Sequence, residues 1–123
     1  MPKTPKDPKR EHRISMEIIV DAYGSEEQAM GWHYYLADKL NFPFIGKCRI
    51  ERIISPLQND EEIEVVSMAP EEECYHEIFV KIRWKGRTFA VPLGQVKPNR
   101  QVNDETKEAI GDWHYWLSQG YEF

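Results

Sequence analysis

Residues 76–93 read HEIFVKIRWKGRTFAVPL, two runs rich in β-branched and aromatic residues on either side of Lys85 and Gly86. A two-residue connection ending in glycine suits a tight hairpin, because the favoured hairpin turns need a left-handed backbone that glycine adopts without steric cost. Residues 76–84 and 87–93 are therefore predicted to be paired antiparallel strands. Pro92 marks an edge or a strand end, since proline has no N–H to give to a ladder.

Toward the N-terminus, IEVVSM (63–68) and FIGKCRIERII (44–54) have the same strand-forming composition, with a turn at Ser55 and Pro56 between them. On the other side of the hairpin, GQVKPNRQVN (94–103) reads as a loop. Helices flank this meander. Ser25 and Gln28 have the form of a capping box, and Glu26 and Glu27 suit the first turn, so a helix is expected from 25 to about Leu40, where Asn41 and Pro43 end it. A last helix opens at Asp104 or Thr106 and runs to about Gln119. RISMEIIVDAY (13–23) has Ile14, Ile18 and Ala22 at a spacing of four before Gly24 and is read as helix, although MEIIV also fits a strand. The plan is α+β: a small bent antiparallel sheet of four to five strands, packed by N-terminal and C-terminal aromatic-rich helices. The hairpin followed by a short GQV turn has the pattern of an SH3-like partial barrel.

The two helices share a tripeptide. GWHYYLADKLNF (31–42) and DWHYWLSQGYEF (112–123) both carry Trp-His-Tyr. On a helical wheel Ala29, Trp32, Leu36 and Leu40 form one apolar stripe, and Ile110, Trp113, Leu117 and Tyr121 form the matching one. The tryptophans are expected to be core anchors. His33 and His114 fall at the stripe's edge, where an imidazole can pack while one nitrogen stays wet or meets a backbone carbonyl. One turn further on stand Ala37 and Ser118, which add no metal ligand, so packing is favoured over zinc.

The length of 123 residues suits one domain with a real core, and no run approaches the roughly 18 apolar residues of a membrane span. A cytoplasmic location is expected. Cys48 and Cys74 are expected to be free, buried thiols. The net charge of −5 is unevenly spread, because residues 1–13 hold five of the 16 Lys and Arg but only two of the 21 Asp and Glu. Residues 1–12 read as a flexible, basic, proline-rich tail, and 13–123 as a single acidic domain. Between Ile53 and Val80 stand Asp60, Glu61, Glu62, Glu64, Glu71, Glu72, Glu73 and Glu77 with no Lys or Arg. Such a surface repels nucleic acid and draws cations.

No nucleophile motif, phosphate-binding loop or dinucleotide fingerprint is present, and Cys74 and His76 lack a third orienting group, so catalysis is not expected. The acids carry the functional reading. If the strands at 63–68 and 77–84 pair, Glu71 to Glu73 lie in their connecting loop and Asp60 to Glu64 lie at the other end, near 81–87. Two separate sites would result. Carboxylates converging on one point repel unless a cation occupies it, and Ca²⁺ takes six to eight oxygens at about 2.3 to 2.6 Å. NDEEIE lacks the spacing of an EF-hand loop, and solvated acidic loops remain the competing reading. The candidate ligands are Asp60, Glu62, Glu71, Glu72, Glu73 and Glu77.

The runs EIIVDAYGSEEQAMGWHYYLADKLNFPF (17–44), GRTFAVPLGQV (86–96) and GDWHYWLSQGYEF (111–123) resemble the small prokaryotic calcium-binding proteins of the CcbP type. The similarity covers roughly residues 10–123, and DAYGSEEQAMGW and DKLNFPF are its most specific parts. It implies Ca²⁺ bound by surface carboxylates without an EF-hand, in a buffering or sensing role. It also implies Asp38, within DKLNFPF, and the acids of MAPEEEC as ligands. The alternatives are a small-barrel protein-interaction module whose acidic loops steer a partner, and a metal-dependent hydrolase. No nucleic-acid or membrane partner is expected.

Overall fold

A computed structural model describes residues 5–123. The elements are α1 (Pro8–Arg13), a π-helical turn (Ile14–Ile18), α2 (Ser25–Lys39), β1 (Phe44–Cys48), β2 (Glu62–Met68), β3 (Phe79–Trp84), β4 (Arg87–Pro92), β5 (Val96–Pro98) and α3 (Asp104–Ser118). The strands form one antiparallel sheet in the order β4-β3-β2-β1-β5. The α+β plan is what the pattern of elements predicts.

The hairpin closes at Trp84 opposite Arg87, with Lys85 and Gly86 at φ 49° and 78°. Both central residues are left-handed, so the turn twists the same way as the strands it joins. Between Val65 and Ser67 the β2–β3 register slips, which bends β2. After β4 a 3₁₀ turn (Leu93–Gln95) redirects the chain, and β5 lies along β1 with Val96 opposite Cys48 and Pro98 opposite Gly46. This return of the last strand to the first leaves an open five-stranded sheet with β4 and β5 as edges. The sequence hides β5 because it has three residues and ends in proline. Gly46 admits it, since a Cβ there would lie 2.7 Å from the Lys97 carbonyl oxygen.

The strand expected over 44–54 stops at Cys48. Beyond it, Ile50, Ile53 and Ile54 are exposed, and Ser55 N–H bonds the Arg52 carbonyl in a turn. Their apolar side chains imitate a strand without having a sheet face to pack on.

One face of the sheet, with Ile63, Val65, Val80, Ile82 and Val91 buried, supports Ala29, Trp32 and Leu36 of α2 and Ala109, Ile110 and Trp113 of α3. The two Trp-His-Tyr copies meet there. The rings of Trp32 and Trp113 pack edge to face at 5.0 Å, and Trp116 stands 5.6 Å from Trp32. This geometry suits the aromatic quadrupole and removes three indoles from water.

The N-terminal expectations need correction. Of the tail predicted over 1–12, residues 1–4 lie outside the described residues, but Pro8–Arg13 are helical. Asp7 caps α1 by accepting from the N–H groups of Lys9 and Arg10, and Pro8 occupies its first turn. The helix expected over 13–23 ends at Ile18, and the chain then turns with Asp21 at φ 57°. Gly24 does not terminate it. Gly24 is instead the N-cap of α2, so Ser25 is already helical and the Ser25–Gln28 capping box does not form.

Candidate metal centre

Glu17 and Asp38 reach one place from different elements. The π-helical turn lies so close on α2 that a Cβ at Gly31 would overlap the Ile18 carbonyl oxygen. Glycine permits that approach, and it brings Glu17 to a depression of about 440 Å³ lined also by Tyr34, Tyr35, Asp38 and Lys39. Asp38 is exposed, and its Oδ2 lies 3.9 Å from Lys39 Nζ.

The wall of this depression is anchored from behind. Tyr35, which lines it, donates through its hydroxyl to Asp112 Oδ2 at 2.7 Å. Asp112 is fully buried and also receives Arg10 Nη1 at 2.6 Å, Arg13 Nε at 2.8 Å and Arg13 Nη2 at 2.6 Å. The hydrogen bond to Asp112 holds the Arg13 guanidinium even more firmly protonated than usual. Burial, and next the hydrogen bond to Asp112, push the Tyr35 phenol well above its ordinary range. Glu11 accepts from Tyr115 and Tyr121 hydroxyls at 2.5 and 3.0 Å. The segment that carries Glu17 is thus pinned to α3 by hydrogen bonds to charged groups, which are stronger than neutral ones.

The other acids are dispersed. Glu71, Glu72 and Glu73 form one exposed 3₁₀ turn between β2 and β3. Glu77 pairs with Arg52 Nη1 at 2.6 Å. Glu62 begins β2 opposite Lys47. Asp60, at φ 65°, lines a recess with Lys47, Lys97 and Arg100, whose charge opposes a cation. Glu61 accepts from Gln58 N–H and from Trp84 Nε1 at 2.8 Å, and these bonds hold its carboxyl below the usual range. The register does set Glu64 opposite Arg83, so the two acidic stretches lie at opposite ends of β2, as the hairpin reading requires. Among the described residues, no three His, Cys, Asp or Glu side chains gather as a metal-holding group.

His33, His114 and the two cysteines serve packing. His33 Nε2 lies 2.9 Å from the Ala69 carbonyl oxygen. Burial, and the nearby Arg49 charge, lower the His114 pKa to about 4. Both cysteines are free and buried, and burial raises both thiols. Cys74 is enclosed while His76 is exposed, so they form no thiol–base pair.

The sequence pattern of a family described as calcium binding, of the CcbP type, matches residues 12–117. The chain belongs to the CcbP calcium-binding family. The crystal structure of Anabaena CcbP is similar at 44% identity and TM-score 0.87, covering 100% of both chains. A structure described as a calcium binding protein in the calcium-binding form is similar at 43% identity and TM-score 0.85, covering 96% of each. No curated protein sequence matches. This is a calcium-binding family and not a known enzyme family, and among the described residues no helix is long and apolar enough to cross a membrane.

Carboxylate oxygen is a donor type that suits the ion. Ca²⁺ prefers hard oxygen and tolerates irregular shells completed by carbonyls and water. Two exposed carboxylates at one depression are a reasonable nucleus for such a shell. Sequence reading names Asp38 through resemblance and does not name Glu17, which sits in a run that reads as an amphipathic helix and gives no sign of which acid lines this depression.

Proposed function

We propose that Ca²⁺ is held between the π-helical turn and α2, with Glu17 and Asp38 as carboxylate ligands and carbonyls or water completing the shell. The observation that carries this reading is that these two acids, from separate elements, line one depression. Lys39 is the competing cation there, but a partly exposed ammonium on a long stem, 3.9 Å from an exposed carboxylate, gains little from its pair and moves at small cost. The Glu71–Glu73 turn is a second, weaker point of attraction. Asp60, Glu62 and Glu77 are left out of the shell, because none of them lines this depression, and Glu77 is already paired with Arg52.

With few charged ligands the site would have moderate affinity and exchange readily, which suits a cytoplasmic, non-catalytic calcium buffer. A sensor role draws on one observation: Tyr35 lines the depression and also bonds Asp112, so an ion there touches a residue of the buried network.

The test is calorimetric titration with Ca²⁺ at about 150 mM salt, where weak surface attraction is screened. Glu17→Gln with Asp38→Asn should weaken binding at least about tenfold, or 1.4 kcal/mol, and the triple Gln variant at 71–73 should weaken it less. Millimolar Mg²⁺ should compete poorly, because it demands a rigid octahedron and gives up water reluctantly. Unchanged binding in the double variant would overturn the assignment of ligands, and equal displacement by Mg²⁺ would reduce it to charge screening.

A further inference from the structure

Along the β1–β5 side of the sheet lies a recess of about 280 Å³ whose lining includes Lys47, Lys97, Arg100, Asp60 and Asn99. In a chain of net charge −5, three cations around one recess are unexpected. Lys47 and Lys97 stand directly opposite each other in the β1–β5 ladder. Like charges in that position destabilise a sheet unless an anion lies between them. Lys47 also faces Glu62 of the neighbouring β2, yet among the described residues none of the three cations makes an ion pair within 4.0 Å.

Asp60 is fixed at the rim by its own backbone. Its N–H bonds the Cys48 carbonyl at 2.8 Å, and its left-handed φ holds it at the end of β1. A lone carboxylate among three cations has a specific chemical consequence. It accepts a hydrogen bond from an anion that carries a proton and repels an anion that does not. At neutral pH, hydrogen phosphate carries that proton, whereas sulfate, a phosphomonoester dianion and a phosphodiester headgroup do not.

We infer that this recess is an oxyanion site selective for inorganic hydrogen phosphate, with Lys47, Lys97 and Arg100 holding its oxygens and Asp60 accepting its proton. The site is separate from the calcium ligands proposed above.

The test is a titration of the calcium-free protein with inorganic phosphate, followed by amide NMR shifts. Saturable shifts are expected at Lys47, Asp60, Lys97 and Arg100. Sulfate, methyl phosphate and a glycerophosphodiester should act at least about tenfold more weakly. Lys97→Gln with Arg100→Gln should weaken phosphate at least about tenfold. Asp60→Asn, in a residue type that tolerates positive φ, should bring sulfate close to phosphate. Equal effects of phosphate and sulfate on the parent would overturn the selectivity, and unchanged phosphate binding in the double variant would overturn the site.

Discussion

Arg13 and Asp112, 99 residues apart in the chain, meet through two parallel hydrogen bonds, Nε to Oδ2 at 2.8 Å and Nη2 to Oδ1 at 2.6 Å. This fork, with Arg10 and Tyr35 on the same carboxylate, is what gives α1 and the π-helical turn a fixed place. Breaking a buried pair by removing one partner typically costs about 3 to 5 kcal/mol, and the partly exposed arginines recover some water, so Asp112→Ala should fall at the low end. Urea unfolding checks the cost. Hydrogen exchange should also rise selectively at residues 10–18; an Asp112→Ala protein with parental stability and exchange would show that the segment is held by something else.

Gly31 is where the calcium proposal meets the packing. Gly31→Ala sets a methyl group against the Ile18 backbone carbonyl, which cannot rotate away, and should cost about 1 to 3 kcal/mol and weaken calcium binding by parting Glu17 from Asp38. Gly111→Ala is the control. A Cβ there meets the Arg10 guanidinium, at 2.8 Å, which can shift at the expense of its bond to Asp112 where a backbone carbonyl cannot. The cost should be smaller, and Arg13 should keep the segment in place. Thermal melts and calcium titration of both variants separate the two effects.

Trp32→Ala should cost about 3 to 5 kcal/mol, because it removes an indole that is fully buried against Trp113 and Trp116. His33→Gln can still reach the Ala69 carbonyl through its amide and should lose little stability and no calcium affinity. Loss of metal binding in His33→Gln with the fold intact would make the tripeptide a site after all.

Stability should depend on pH through His114. Its folded pKa is about 4, below the ordinary 6.5, because burial disfavours the imidazolium. The unfolded chain therefore binds the proton first as pH falls. The contribution is fully present above about pH 6.5, is lost progressively toward pH 4, and amounts to at most roughly 3 kcal/mol. Urea midpoints of parent and His114→Gln between pH 4 and 7 read it directly: the parent should lose stability across this window more steeply than the variant.

Local signals made the centre of the fold legible. Lys85 and Gly86 announce the hairpin, Asn41 and Pro43 end α2, and the spacing of Trp32 and Leu36 declares the buried stripe. Where pairing is distant, nothing local declared it. Residues 8–12 look like a tail because their partner, Asp112, lies far along the chain beside the Trp-His-Tyr motif, and β5 looks like a loop because Gly46, its reason for fitting, belongs to another strand. For the same reason the proposed ligand Glu17 is not marked by the sequence. Its neighbour Asp38 is set beside it by Gly31, a contact between elements, while the conspicuous acids at 71–73 owe their visibility to being consecutive.

Amide NMR shifts during titration of the ¹⁵N-labelled protein with Ca²⁺, at about 150 mM salt, test the central claim most directly. The account predicts saturable shifts concentrated at Glu17, Ile18, Tyr34 and Asp38, smaller ones at Glu71 to Glu73, and none at Asp60. Shifts centred on Asp60 and Glu62, or spread evenly over every acidic residue without saturation, would contradict it.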